Sequence, residues 1–74
     1  MQYIPLKEDL YSADIGNYQT FGILAFDQIG DEWREVARIS DVSVDLHFVA
    51  DLCAKCNEGQ LSPMHLRDVV EDAL

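Results

Sequence analysis

The chain is poor in positive charge. Its 74 residues carry 5 lysines and arginines against 14 aspartates and glutamates, a net charge of −9. A phosphate backbone repels such a surface, so no direct nucleic-acid partner is expected. Long apolar runs are missing as well. None approaches the roughly 20 residues that a membrane helix needs. No basic leader precedes an apolar stretch at the N-terminus, so we expect no signal peptide and no membrane partner. Two cysteines are too few for a secreted disulfide framework, which makes the cytoplasm the expected location. The 4 glycines are scattered, and no phosphate-cradling loop can be drawn from them.

What is present fits one small packed domain over residues 1–74. Apolar residues make up 49% of the chain, too many for a disordered segment. A core of this size rarely supplies more than about 3–5 kcal/mol. Domains this small often lean on a metal, a disulfide or a partner. The acidic residues are spread along the whole chain. Even spreading serves solubility, although an acidic mimic of nucleic acid remains a third functional hypothesis.

Residues 2–11 hold Tyr3, Ile4, Leu6, Leu10 and Tyr11 around Pro5. The proline restricts any strand there to an edge or a short piece. Residues 12–17 read as a loop. Residues 18–27, rich in aromatic and β-branched side chains, are the strongest strand signal. Ile29-Gly30-Asp31 turns the chain, and Trp33 to Ile39 returns as the second arm of a hairpin.

Ser43 is the expected N-cap of a first helix, with Asp45 in its first turn. Val44, Phe48, Val49, Leu52, Cys53 and Cys56 form its apolar stripe up to about Asn57. Gly59 is expected to end it in a left-handed conformation. Ser62 then caps a second helix, Pro63 fits its first position, and Leu61 staples to Leu66. Leu66, Val69, Val70, Ala73 and Leu74 make its buried face. The pattern predicts an α+β fold of order β-β-β-α-α. Its small antiparallel sheet, with a central hairpin over 18–39, packs on a helical hairpin at about 43–57 and 62–74.

Three blocks carry a resemblance. They are Tyr18-x-Thr20-Phe21-Gly22-Ile23, then Leu52-Cys53 to Asn57, then Leu61-Ser62-Pro63-x-His65-Leu66-x-Asp68-Val69-Val70-Glu71-Asp72. Together, over about residues 18–74, they resemble a family of short bacterial proteins from clostridia-like Gram-positive organisms that carry a domain of unknown function. The last block is the specific one. Phe21 departs from the family pattern, which has tyrosine there. The resemblance implies no activity, cofactor or partner.

Cys53-x-x-Cys56 invites a redox reading. A redox pair belongs at a helix N-terminus, where the dipole lowers the thiol pKa. Here both cysteines sit in the last turns of a helix and on its apolar stripe, which favours a core role. Cys53, Cys56, His47 and His65 count to the four ligands of a structural zinc site. His47, however, points roughly 180° from Cys56 on the same helix. No metal and no cofactor is therefore expected. His65, Asp68 and Asp72 share one stripe beside the buried face of the last helix and form one candidate binding set. No nucleophile, base and orienter stand together.

The strand gives a further clue. Tyr18, Thr20, Gly22, Leu24 and Phe26 alternate with Phe21, Ile23 and Ala25, and both faces are apolar. Two helices cover one face. The other needs residues 2–11 as a lid, or a partner. Phe21 and Ile23 are the expected binding residues of that uncovered face. The leading hypothesis is a non-enzymatic interaction or regulatory module that holds a protein partner or forms a homodimer. The alternative is a metal- or thiol-dependent protein using Cys53, Cys56 and His65.

Overall fold

A computed structural model describes all 74 residues. Strands β1 (Gln2–Ser12), β2 (Gly16–Ile29) and β3 (Glu32–Ser43) precede helix α1 (Leu46–Glu58), a 3₁₀ turn (Pro63–His65) and helix α2 (Leu66–Ala73). The sheet is antiparallel in the order β1-β2-β3. The α+β architecture matches the expected one.

Residues 2–11 are no lid. They form the full edge strand β1, paired with β2 from Gln2↔Phe26 to Ser12↔Gly16. Half of the expected 12–17 loop, Ser12, Gly16 and Asn17, is thereby drawn into the sheet. Pro5 is tolerated because the groups of this strand that lack a β2 partner face outward. Tyr3 shows the direction, since both its N–H and its C=O are bonded by the Asn57 side chain. Pro5 lies two residues further on the same outward register, where a strand donor is not needed.

Register fixes the two faces of the sheet. Tyr3, Ala25 and Ala37 share one row, and Pro5, Ile23 and Ile39 the next. The helices cover this inner face. Tyr3, Ile23, Ala25, Val42, Val49, Leu52, Cys53, Cys56, Leu66 and Val70 form the buried core. Four of them come from α1 because Val49, Leu52, Cys53 and Cys56 recur at helical spacing.

β3 departs from regular pairing twice, between Ala25 and Phe26 and between Phe21 and Ile23 of its partner. At the second break, Phe21 pairs with Ser43 while Ile23 pairs with Ile39. The extra residues arch over the outer face at Ser40 and Asp41, and Val42 returns to the core. Gly22 makes room for the arch. A Cβ there would collide with the Ile39 carbonyl and lie 2.8 Å from Glu8 Oε1.

Several local expectations need correction. Ser43 belongs to β3, and the cap of α1 is Asp45, whose carboxylate accepts the His47 N–H at 2.9 Å. Val44 consequently falls before the helix and is exposed. Gly59 has ordinary helical angles, φ −83° and ψ 0°. The left-handed residue is Gln60, at φ 53°. The Leu61 N–H reaches the Cys56 carbonyl at 3.0 Å and the Gln60 N–H reaches that of Asn57 at 3.3 Å. These are the paired bonds of a Schellman closure, which puts its left-handed residue one position after the cap. Ser62 makes no side-chain cap. The expected 62–74 helix is split into a 3₁₀ turn and a short α2, and Ala73 and Leu74 are exposed.

Candidate functional site

Phe21 and Ile23 lie on the covered face, not the open one. Ile23 is fully buried in the core and Phe21 packs half-buried against it. The alternation of the strand was legible, but nothing in it said which face the helices would take. The uncovered surface belongs to the other parity: Ile4, Leu24 and Arg38 in one row, Gln2, Phe26 and Glu35 in the next, then Gln28 and Trp33. Leu6 faces Gly22 beside them.

This outer face has two halves. The first is polar and tied down. Glu8 accepts the Ser40 hydroxyl at 2.7 Å and the Asp41 N–H at 2.9 Å. Asp41 in turn accepts the Tyr18 hydroxyl at 2.8 Å and the Thr20 hydroxyl at 2.7 Å. These bonds hold Asp41 at φ 54°, a left-handed conformation that aspartate tolerates better than most residues. The hydrogen bond to Asp41 raises the Tyr18 pKa, helped by desolvation and by the charges of Asp41 and Glu8. The network fastens the arch of β3 to β1 and β2.

The second half is apolar and open. Ile4, Leu6 and Phe26 are half-buried around Leu24, which is buried to 9% exposure among them, and Trp33 is 55% exposed beside them. Its charges are paired within the chain. Arg38 and Glu35 bond at 2.8 Å, which lowers the Glu35 pKa and raises that of Arg38. No other part of the protein covers this half.

The start of the β1 edge is closed to a further strand, and the β3 edge is irregular. On β1, Asn57 accepts the Tyr3 N–H at 2.7 Å and donates to its carbonyl at 2.9 Å. The Tyr3 hydroxyl donates to the Leu61 carbonyl, binding the same strand to the end of α1. Next along this edge, Pro5 offers no N–H. On β3 the two irregularities break the edge. The sequence holds one signal for Asn57. Val49, Cys53 and Asn57 are spaced by four, which puts an amide on the buried stripe.

The other expected residues are not gathered. His65 lies in the 3₁₀ turn, and His65, Asp68 and Asp72 are all exposed. No ion pair joins His65 to either aspartate, because only three ion pairs occur and none includes them. Cys53 and Cys56 are free, buried thiols. Burial pushes the Cys53 thiol up to about 11, with the Cys56 charge adding to it, and burial raises Cys56 likewise. Such thiols hold little thiolate at neutral pH. No group of three or more His, Cys, Asp or Glu side chains is placed to hold a metal ion, so Cys53, Cys56 and His65 do not converge. No helix is long and apolar enough to cross a membrane.

No curated protein and no solved structure matches the chain. A family model described as "Family of unknown function (DUF6514)" matches residues 1–74. The match takes in β1 as well as the blocks at 18–74, and the chain belongs to that family.

Proposed function

We propose that the protein is a non-enzymatic interaction module of the bacterial cytoplasm, and that its outer sheet face holds a second copy of itself. The open apolar half around Leu24, Phe26 and Trp33 carries this reading. Four further observations favour a copy on that face. The molecular surface is 5047 Å², against about 4,600 Å² for a monomer of this mass. The radius of gyration is 13.0 Å, against about 11 Å for a chain of this length. Both describe a layer exposed on one side. Strand addition is blocked at Tyr3 and Pro5, the part of the β1 edge that borders the apolar half of the face. The charges on that half are already paired as Glu35–Arg38, so two copies can meet there without bringing unpaired acid together. A C2 arrangement presents the same patch on both subunits. The free, protonated thiols fit a reducing compartment, and the resemblance of the C-terminal block supplies the bacterial setting.

Light scattering at micromolar concentration tests the reading. Twice the 8.4 kDa chain mass is expected, with the dimer favoured by added salt because each copy carries −9. Phe26→Ser together with Trp33→Ser should return a folded monomer. A wild-type monomer at every concentration and salt would refute the dimer. A complex that forms only with a basic protein and weakens with salt would assign the face to a different occupant.

A further inference from the structure

On the opposite side of the molecule from the open sheet face, a cavity of about 160 Å³ lies between the end of α1 and α2, lined by Leu52, Lys55, Cys56, Gly59, Leu61 and Val69. Its wall is apolar apart from Lys55. The volume matches cavities of about 150 Å³ that take up a single benzene ring. Lys55 is the only charged side chain in the lining, in a chain where acids outnumber bases 14 to 5. It makes no ion pair with any of those acids. An exposed, unpaired lysine in the lining of an otherwise apolar pocket favours a ligand that is apolar at one end and anionic at the other.

We infer that this cavity is a binding site for a small carboxylic acid with one aryl or short alkyl group, its carboxylate meeting the Lys55 ammonium and its apolar end resting on Leu52, Cys56, Leu61 and Val69. The charge count separates a carboxylate from a phosphate. A single ammonium balances one negative charge, whereas phosphate recognition draws on a guanidinium fork or a set of backbone N–H groups. The end of a helix normally repels an anion through its free carbonyls. Here those carbonyls are occupied, Lys55 by the Gly59 N–H, Cys56 by Leu61 and Asn57 by Gln60. Cys56 serves as an apolar wall, and its raised pKa suits that role.

The probe is phenylacetate, titrated into the full-length protein and followed by backbone amide NMR. Phenylacetamide, the neutral isostere, is the control. Phenylacetate should shift amides at residues 52–61 and 66–70, with half-saturation below roughly 1 mM, a modest demand on a ligand of about ten heavy atoms. The amide should bind roughly tenfold more weakly, and Lys55→Gln should weaken phenylacetate by a similar factor. Lys55→Arg should restore most of the affinity. Equal binding of acid and amide, or shifts that fall elsewhere on the protein, would overturn the assignment. Full affinity in Lys55→Gln would do the same. The oligomeric state is read separately by light scattering, so failure here and failure of the dimer are distinguishable.

Discussion

β2 presents an apolar row on each side, and the two rows end differently. Ile23 and Ala25 are fully buried under α1 and α2. Leu24, one residue over, keeps 9% exposure among its sheet neighbours, and Phe26 beside it is only half-buried. The inner row is closed by elements that the same chain supplies. The outer row is closed only where Glu8, Tyr18, Thr20, Ser40 and Asp41 bond across it. Similar apolar content therefore yields a core on one side and a surface on the other. What separates them is the supply of covering elements, which two helices exhaust on one face.

The sharpest way to break this comparison is to cut the same kind of atom from both rows. Ile23→Ala should cost about 2–5 kcal/mol, because a fully buried side chain leaves a cavity behind. Phe26→Ala should cost the monomer well under half of that and act on association instead. Urea denaturation at low protein concentration measures both. Equal losses would mean that the outer row is also core. A middle effect is expected at the edge. Asn57→Ala strands the N–H and C=O of Tyr3 and should cost about 1–3 kcal/mol. It should also speed amide exchange at Tyr3, which hydrogen-exchange NMR reads. The smallest effect belongs to Ser62→Ala. A side-chain cap would make it worth about 0.5–2 kcal/mol. With no such bond, the denaturation midpoint should move by less than about 0.5 kcal/mol.

The order of elements was readable because it rests on local signals. Alternation marks β2, and stripe spacing marks α1 and α2. Features that depend on partners distant in the chain were not. Residues 2–11 read as a lid or a strand because Pro5 is compatible with either, and only its outward register beside Asn57 decides. The left-handed residue was placed at Gly59 by composition, whereas the bonds from Gln60 and Leu61 put it one position later. Ser43 has the chemistry of a cap, but its pairing with Phe21 commits it to the sheet. The site residues fared worst for the same reason. Phe21 and Ile23 were correctly set on one face, but the face was the covered one. His65, Asp68 and Asp72 share a stripe that faces solvent. Asn57, Glu8 and Asp41 matter through contacts 21 to 54 positions apart, which no window along the sequence contains.

The clasp between Asn57 and Tyr3 has a further consequence for how the chain is made. A strand near the start is sealed by an amide near the end. During synthesis β1 can pair with β2 early, but its outer edge stays open until α1 is complete. For that interval the nascent hairpin carries an exposed strand edge and an uncovered Ile23 row together, the combination most prone to wrong pairing. The outward proline at position 5 is in place from the beginning. It guards the growing chain at a time when Asn57 has not yet been added.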